Sequence, residues 1–464
     1  MTEEDTIAAI STPLGKSGIG IVRLSGPKAL AISEKLFSSP GDIHLGEVES
    51  HTIHYGFVRD PRRKEKEIDE VLVSVMKAPR TYTREDVVEI NCHGGVVPLR
   101  ETLELTLDLG ARPAEPGEFT KRAFLNGRLT LDQAKSVNDI IDSKTRFSLE
   151  LSLDRLEGKF SSFLSSVRDD LTSILAEIET MIDFPDYEET IVPRSELDER
   201  LLKIEKRIED FLDNSMDGKI VKEGHKIAVL GRPNVGKSTL LNRLLREERA
   251  IVSPTPGTTR DTLEEELEID GIPFRITDTA GIRQTEGEIE RQGVRRAKEQ
   301  GRKADISLLL IDVDSGVEPE DCDIAEEIDR EKTILVLNKI DLVDNLSVRD
   351  ILAKIGRGWA DAVELSAKEG RGLKTLEDSI TGLVWGGKVR KDESLVLLNV
   401  QEKELLKKAK ESLASAREAI GTGRSIDLVE IDIREGRKDL GKLLGEDLSE
   451  EILDRVFSDF CVGK

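Results

Sequence analysis

Apolar residues recur at helical spacing in two parts of the chain that lie far apart in sequence. From Leu149 to Met181 they recur every three or four residues, which predicts one long amphipathic helix ending before Pro185. The same spacing continues over residues 201–211 and returns over residues 405–420. Because the segment between them has a different pattern, we predict one helical domain interrupted by an insertion.

Short apolar runs bounded by turn residues dominate the first 122 residues. Two further stretches there have helical spacing, so this part predicts an α+β domain whose charged segment 60–67 forms a hairpin tip. The predicted strands cover 7–10, 19–24, 48–58, 71–76 and 87–92, and the predicted helices cover 27–37 and 97–109.

The length of 464 residues agrees with about three domains of ~150 residues each. We expect residues 214–218 to be a linker and the last helix to begin at Asp447, with Glu450 as its capping partner. The predicted segments are an N-terminal α+β domain (1–122), the first helical part (123–220), an inserted α/β domain (221–386) and the second helical part (387–464).

Composition narrows the classes of partner. A formal net charge of −23 and an aromatic content of 4% argue against a broad nucleic-acid surface, so any RNA contact must be local. One basic stretch contains Lys121-Arg122, Arg128 and Lys135, although a solvated helix face is the alternative. No apolar run approaches the ~20 residues of a membrane span and the first residues are acidic, which predicts a cytoplasmic protein without a membrane segment.

Cysteine and histidine usage predicts neither disulfides nor zinc. Cys92, Cys322 and Cys461 are odd in number and far apart, which is untypical of a disulfide framework or a zinc site. The five histidines show no metal-ligand spacing either.

A phosphate-binding loop follows a short apolar strand in residues 226–239. Gly231 and Gly236 allow the backbone N–H groups to turn inward onto phosphate oxygens, and the leucine-rich helix that follows contributes its positive end. In this pattern Lys237 reaches the β and γ phosphates, and Ser238 offers its hydroxyl to Mg²⁺. The insertion is therefore predicted to be a P-loop domain.

Three further segments predict that the base is guanine. Asp278-Thr-Ala-Gly281 follows an apolar strand and suits a switch that senses Mg²⁺ and the γ phosphate. Asn338-Lys339-Ile-Asp341 follows another strand, and its aspartate can accept both N1–H and the exocyclic amine of guanine, neither of which adenine offers. Such a site is expected to discriminate by roughly 10⁴ or more. Ser366-Ala367-Lys368 supplies a loop that backs the base.

The hydrolytic residues are less evident. Many small GTPases place a glutamine directly after the switch glycine, but Ile282 occupies that position here. In the loop 251–261, Thr259 can complete the Mg²⁺ shell. The Asn234 amide oxygen either ligates a monovalent cation or only hydrogen-bonds its loop. For Arg283 and Glu290, in the switch region, surface salt bridging is the alternative to a role in hydrolysis.

The combination of segments resembles the MnmE (TrmE) family of tRNA-modification GTPases over the whole chain. A phosphate loop alone fits many GTPases, but these segments together with the C-terminal Cys-Val-Gly-Lys fit this family. The matching segments are Asp5-Thr6-Ile7, Gly20-Ile-Val-Arg23, Tyr82-Thr-Arg-Glu-Asp86, His93-Gly-Gly95, Gly117-Glu-Phe119, Ala123-Phe-Leu-Asn126, the phosphate loop, Gly257-Thr-Thr-Arg-Asp261, Asp278-Thr-Ala-Gly-Ile-Arg283 and the tail ending at Lys464.

The resemblance implies a homodimer whose N-terminal domains pair and bind 5-formyltetrahydrofolate or a related tetrahydrofolate. Arg23, Glu85, Arg128 and Lys464 would contact this cofactor, with Arg128 at a position where relatives often carry lysine. Cys461 would lie near the folate, either for chemistry or for packing. With a flavoprotein partner (MnmG, also called GidA) in a heterotetramer, such proteins use the one-carbon unit to add an (carboxymethyl)aminomethyl group at C5 of the wobble uridine of certain tRNAs.

For the nucleotide-binding domain the resemblance implies K⁺-stimulated GTP hydrolysis when two such domains meet. Glu290 would orient the attacking water, Ser238 and Thr259 would ligate Mg²⁺, and K⁺ would be bound by Asn234, Ser253, Thr255 and Thr258. The residues assigned to GTP are Asn234, Val235, Gly236, Lys237, Ser238, Thr239, Ser253, Thr255, Thr258, Thr259, Asp278, Thr279, Ala280, Gly281, Asn338, Lys339, Asp341, Ser366, Ala367 and Lys368.

A second function remains open at this stage: a regulatory or assembly GTPase, for example a ribosome-biogenesis switch. In that case residues 1–130 would be a protein-binding module, whereas the modification enzyme needs a folate pocket there.

Overall fold

A computed structural model of the chain describes residues 5–41, 43–63, 66–184, 192–218, 224–246, 265–276, 301–302, 304–343, 347–384, 395–446 and 449–464. The chain forms two compact units, each assembled from separate stretches of sequence. The first comprises Met1–Asn138, Arg155–Ile208 and Leu405–Lys464, and the second comprises Asp139–Asp154 and Glu209–Glu404. The four segment boundaries expected from sequence stay predictions.

A seven-stranded sheet forms the N-terminal part of the first unit. Its spatial order is β3-β4-β5-β6-β2-β1-β7, antiparallel except for the β1–β7 pair. The strands are β1 (Ile7–Ile10), β2 (Ser17–Ser25), β3 (Phe37–Ser38), β4 (Thr52–Asp60), β5 (Lys66–Met76), β6 (Val87–Gly94) and β7 (Arg112–Pro113).

Two helices, α1 (Ala29–Leu36) and α2 (Val96–Asp108), pack on this sheet. Successive strand residues point to opposite faces, so Val71, Val73 and Val75 of β5 are buried with the helices while Leu72 is exposed. The charged segment between β4 and β5 is the expected hairpin tip.

Helices supply most of the remainder of the first unit, and several of them extend into the second. They are α3 (Glu118–Leu125), α4 (Leu131–Ile141), α5 (Arg146–Leu156), α6 (Lys159–Asp183), α7 (Arg194–Asp213), α12 (Val400–Gly421), α13 (Ile426–Leu444) and α14 (Glu450–Ser458).

Two helix predictions were wrong in detail. The single helix expected from Leu149 to Met181 is divided into α5 and α6, because Gly158 adopts a left-handed conformation with φ +90°. The last helix begins at Glu450, since Ser449 is extended and occupies the N-cap position.

A six-stranded sheet is the centre of the second unit. Its order is β10-β11-β9-β12-β13-β14, parallel except for the antiparallel hairpin β10–β11. The strands are β9 (His225–Leu230), β10 (Glu265–Ile269), β11 (Ile272–Ile276), β12 (Ile306–Asp312), β13 (Thr333–Asn338) and β14 (Asp361–Leu365).

Helices alternate with these strands, which confirms the α/β architecture expected for the insertion. They are α8 (Lys237–Arg246), α9 (Pro319–Ala325), α10 (Val348–Ile355) and α11 (Leu373–Val384). Ile227 and Val229 of β9 lie in one apolar cluster and Ala228 and Leu230 in another, so both faces of the sheet are covered.

The segment expected to be a linker is a strand. Ser215–Asp217 (β8) pairs in parallel with Val396–Leu398 (β15), and Met216 and Leu397 are buried with Phe147 of α5. Pairing with residues far along the chain overrides the local turn-like composition. Among the described residues, no helix has both the length and the apolar character that a bilayer crossing requires.

Candidate nucleotide-binding site

The phosphate loop connects β9 to α8 and depends on two glycines. Gly231 and Gly236 have φ values of +136° and +102°, which favour glycine. A Cβ atom at Gly231 would lie 2.6 Å from the Leu310 carbonyl oxygen, and Gly236 packs against the side-chain amide of Asn338. Between them Asn234 is left-handed with φ +62° and is exposed. The loop is therefore exposed to solvent at Asn234 and tightly packed at its two glycines.

Lys237 lies with its ammonium group enclosed by the loop. Its Nζ donates to the carbonyl oxygens of Gly231 (2.7 Å) and Arg232 (2.5 Å). Burial of the ammonium group lowers the pKa of Lys237 to about 8, and the negative charge of Asp321 partly opposes this shift. The cation is thus held beside the loop where phosphate oxygens would bind.

Asn338 connects the phosphate loop to the base loops. It ends β13, is only 2% exposed, and its Nδ2 donates to the Val235 carbonyl oxygen at 2.8 Å. Its Oδ1 accepts from the Ala367 backbone N–H at 3.0 Å. One buried amide therefore fixes the spacing between loops that follow β9, β13 and β14.

Asp341 has the properties expected of a base-binding carboxylate. Its Oδ1 accepts a 2.6 Å hydrogen bond from the Ser366 hydroxyl. That bond lowers the pKa of Asp341, so the carboxylate is ionised at neutral pH. Lys339 has φ +69° and its Nζ pairs with Asp312 Oδ2 at 2.6 Å. The exposed Lys368 lies on the loop that carries Ser366.

The structure thus brings together the residues predicted from three segments at one edge of the parallel sheet. These are Asn234, Val235, Gly236, Lys237, Ser238, Thr239, Asn338, Lys339, Asp341, Ser366, Ala367 and Lys368. The other predicted residues lie outside the described ranges: Ser253, Thr255, Thr258, Thr259, Asp278, Thr279, Ala280, Gly281, Arg283 and Glu290.

The donor atoms near the loop suit hard cations. Ser238 lies in the first turn of α8 and Asn234 lies at the exposed part of the loop, so a hydroxyl and an amide oxygen, both oxygen ligands of the kind that hard cations prefer, lie close together. Within the described ranges, no group of three or more histidine, cysteine, aspartate or glutamate residues could hold a metal ion.

The residues predicted to contact folate lie in the first unit. Arg23 Nε pairs with Glu89 Oε1 at 2.8 Å, and its Nη1 donates to the Gly463 carbonyl oxygen at 3.2 Å. The Phe119 N–H donates to the Lys464 carbonyl oxygen at 3.2 Å. The C-terminal tail therefore lies directly beside Arg23.

Glu85 lies on the same loop as Tyr82, between β5 and β6, and Arg128 contacts the Tyr82 ring. Glu85 Oε2 accepts from the Ser25 hydroxyl at 2.7 Å, while the Arg128 guanidinium stacks over the Tyr82 ring at 4.8 Å. A cavity of about 400 Å³ adjoins that ring. It is lined by His51, Met76, Pro79, Arg80, Thr81, Tyr82, Arg84 and Arg128. Three of these residues are arginines and none is a carboxylate, so the lining of the cavity suits an anionic group.

Two sequence interpretations are corrected in this region. Lys121 and Arg122 were weighed as an RNA contact or a solvated helix face, but they are only 8% and 6% exposed. Arg122 bonds Asp5 and Glu85, and Lys121 pairs with Asp454, so neither interpretation holds for these two residues. The Cys461 side chain is exposed, so packing within this chain does not explain it.

The sequence interpretation also missed residues that surround the nucleotide loops. Asp312 and Asp321 belong to no recognised motif, Arg232 is a variable position of the phosphate loop, and their partners are separated from them in the sequence by 27 residues (Asp312–Lys339) and 89 residues (Arg232–Asp321). For Arg122 a signal was present, since Glu118 precedes it by one helical turn.

Comparison with known proteins gives consistent results along the chain. The model for the MnmE helical domain matches residues 131–461, and that for the GTP-binding protein TrmE N-terminus matches residues 6–128. Relatives named tRNA modification GTPase MnmE include that of Carboxydothermus hydrogenoformans, which is 46% identical over 99% of this chain and 100% of its own length. Those of Alkaliphilus oremlandii and Staphylococcus aureus are 44% and 42% identical, each over 99% of both chains. On this evidence the chain belongs to the MnmE family of tRNA modification GTPases.

Proposed function

We propose that this chain binds Mg²⁺ and GTP at the site in the second unit and hydrolyses GTP in a K⁺-stimulated cycle that depends on dimerisation. The observation that carries the proposal is the Asn338 amide, which joins the phosphate loop to the loop of Ala367. Beside it an ionised Asp341 presents acceptors that match the two donors of guanine.

In this proposal, side-chain oxygens of the phosphate loop and the segments after it hold the two cations. Ser238 and Thr259 would hold Mg²⁺, and Asn234, Ser253, Thr255 and Thr258 would hold K⁺. When bound, these cations offset the negative charge that develops on the phosphates. Glu290 would orient the attacking water, while Lys237 would leave the Gly231 and Arg232 carbonyls for phosphate oxygens.

For the first unit we propose a tetrahydrofolate site formed by Arg23, Glu85, Arg128 and Lys464. Support comes from the tail, whose Gly463 carbonyl accepts from Arg23, and from the cation-lined cavity beside Tyr82. A folate carries carboxylates on its glutamate tail, and Arg128 is one of the three arginines that line that cavity. The bound folate would supply a one-carbon unit for C5 of the tRNA wobble uridine.

We further propose that the chain acts in the cytoplasm as a homodimer with a flavoprotein partner, MnmG, in a heterotetramer, and that it adds an (carboxymethyl)aminomethyl group to the wobble uridine. Family membership supports this proposal. Mass analysis of wobble nucleosides from cells lacking the chain tests it, because an unchanged nucleoside profile would contradict a role in modification.

GTP turnover tests the hydrolysis proposal. Replacing Na⁺ with K⁺ should accelerate turnover markedly, and equal rates in both salts would exclude the K⁺ site. Glu290→Ala should retain GTP binding and lose most turnover, whereas the exposed Glu320→Ala should retain both. Full turnover in Glu290→Ala would remove Glu290 from the mechanism.

Titration with 5-formyltetrahydrofolate tests the folate proposal. We expect saturable binding that Arg23→Ala abolishes. Arg100→Ala, which removes an exposed arginine paired with Glu104 on α2, is the control and should bind normally. Absence of binding to the unmodified chain would favour a regulatory GTPase instead.

A further inference from the structure

Arg232 occupies the second position of the phosphate loop but its side chain points away from the loop mouth, toward a separate segment. Its Nε donates to Asp321 Oδ2 at 2.9 Å. Its Nη2 donates to the Ser315 hydroxyl and to the Gly316 carbonyl oxygen, both at 3.1 Å. All three partners lie in residues 312–321, between the end of β12 and the first turn of α9.

The Arg232–Asp321 pair is largely removed from solvent. The two side chains are 16% and 0% exposed. Asp321 Oδ2 also accepts from the Glu318 N–H at 3.1 Å, while Oδ1 has no hydrogen-bond partner among the described residues. Because a buried carboxylate is costly without a cation beside it, the Arg232 guanidinium is the group that stabilises Asp321 in this position.

The same segment also contacts the loop that follows β13. Asp312 Oδ2 pairs with Lys339 Nζ at 2.6 Å, and Asp312 Oδ1 accepts from the Asp314 N–H at 3.1 Å. Residues 312–321 therefore bind one basic side chain from the phosphate loop and one from the base loop. Neither carboxylate belongs to a recognised nucleotide-binding motif.

The phosphate loop needs such support once a nucleotide is bound. Lys237 donates to the Gly231 and Arg232 carbonyls, and phosphate binding would withdraw it from both. Asn234, two residues after Arg232, has a left-handed backbone conformation with φ +62°, which asparagine adopts more readily than most residues with a side chain, so the loop turns tightly next to Arg232. The side chains of Asn338 and Arg232 still tether this loop to other parts of the unit.

We propose that Arg232 and Asp321 are positioning residues that hold the phosphate loop in the conformation that receives the phosphates, with residues 312–321 as the support. The inference rests on the proposed binding of GTP at this site. Arg232 acts through the loop backbone and does not contact the nucleotide. It therefore stabilises bound substrate and transition state alike, and its loss should raise KM with little change in kcat.

The test measures KM and kcat for GTP, and Kd for GTP, GDP and ATP, in the full-length chain. For Arg232→Ala we expect KM and both guanine-nucleotide Kd values to rise about tenfold, with kcat and the preference for GTP over ATP retained. Arg232→Lys should fall between wild type and Arg232→Ala, because an ammonium group can pair with Asp321 but cannot bond Ser315 and Gly316 at the same time. Arg302→Ala, which removes an exposed arginine that pairs with Glu327 at 3.5 Å, is the matched control and should behave as wild type.

A double-variant cycle separates positioning from general destabilisation. If the pair acts as one unit, Arg232→Ala/Asp321→Asn should bind GDP no more weakly than Arg232→Ala alone. The inference would be overturned if the two substitutions reduced GDP affinity additively. It would also be overturned if Arg232→Ala kept wild-type affinity or changed the preference between GTP and ATP. If Arg232→Ala does not fold, the KM of Arg232→Lys for GTP is the test, and a wild-type value would overturn the inference. Failure of the unmodified chain to bind GTP would instead overturn the proposed function.

Discussion

At the scale of single residues, Lys237 shows how enclosure by a loop changes the chemistry of a side chain. Burial of its ammonium group in the loop lowers its pKa to about 8, well below the ordinary value for lysine. In the nucleotide-free protein the folded state therefore binds fewer protons than the unfolded chain between about pH 8 and the ordinary lysine pKa. The contribution of Lys237 to the free energy of unfolding therefore rises with pH across that window. At pH values below the window, the free-energy cost of burying the charged amine remains.

Nucleotide binding should reverse this shift, because phosphate charge favours the protonated amine. We predict that GDP binding at pH 8.5 takes up protons and that affinity declines as the pH rises further. Calorimetry in two buffers of different ionisation enthalpy measures the uptake. Lys237→Arg should bind without uptake at this pH, since arginine stays protonated. A binding enthalpy independent of buffer in the unmodified chain would contradict the prediction.

A second prediction at this scale concerns Asp341. Asp341→Asn replaces one acceptor with a donor, so guanine loses a partner while xanthine, which has a carbonyl in place of the amine, gains one. We expect GTP affinity to fall by about 10²-fold or more and XTP affinity to rise. Competition titrations measure both affinities. Asp361→Asn is the control, because Asp361 lies at the start of β14, far from the end that leads to Ser366, and it should leave GTP affinity unchanged. Unchanged base preference in Asp341→Asn would place guanine recognition elsewhere.

At the scale of elements, the hairpin β10–β11 is attached to helices through its tip and its first strand. Asp270 at the tip pairs with Lys374 of α11 at 3.2 Å, and Glu266 pairs with Lys144, just before α5, at 2.5 Å. A Cβ atom at Gly271 would lie 2.8 Å from Phe147 Cβ of α5. The hairpin is therefore packed against α5 and paired with α11 and with Lys144.

We predict that Gly271→Ala destabilises the protein through both backbone strain and this contact. Gly358→Ala is a matched control, because Gly358 has a similar φ of +93° but nothing within 4 Å of the position of its Cβ. The control should lose about 1 kcal/mol from strain alone, and Gly271→Ala roughly 1–3 kcal/mol more from overpacking. Thermal unfolding midpoints measure both. Equal losses would mean that Phe147 moves aside without cost.

At the scale of the whole molecule, the C-terminal tail contacts residues of β2, of the loop before it and of the loop before α3 within the first unit. The Gly463 carbonyl accepts from the Ser11 hydroxyl at 3.0 Å and from Arg23, and the Gly117 N–H donates to the Cys461 carbonyl at 3.3 Å. The nucleotide loops, in contrast, belong to the second unit. Changes in the tail should therefore affect the stability of the first unit and the proposed folate site without affecting the binding of nucleotide.

Deletion of residues 461–464 provides the prediction. We expect a lower unfolding midpoint, at about 0.5–1.5 kcal/mol for each lost hydrogen bond, and loss of folate binding, with GDP affinity retained. Lys464→Ala keeps the backbone bond to Phe119 and should lose folate affinity without loss of stability. Differential scanning calorimetry and ligand titration distinguish the two variants. A truncated chain as stable as the intact one would show that the tail contacts are weak.

Sequence patterns predicted the fold class and the loops that follow β9 and β13, because their signals are local. The Gly231–Lys237 loop is bounded by its own strand and helix, and Asn338 directly follows a buried strand. The patterns failed where a distant partner decided the outcome. Gly158 interrupts a continuous helical periodicity, and Ser215–Asp217 is a strand only because Val396–Leu398 pairs with it.

The amino-acid sequence by itself determined the family and the order of strand, loop and helix around the predicted phosphate and guanine segments, since these elements form from neighbouring residues. The tertiary structure alone decided which polar groups meet. Arg232 finds Asp321 from 89 positions away, Asn338 reaches the Val235 carbonyl across 103, and Ser11 reaches Gly463 across 452. Such pairs leave no periodic signal, because their geometry arises only when separate elements pack and each buried polar group must find a partner.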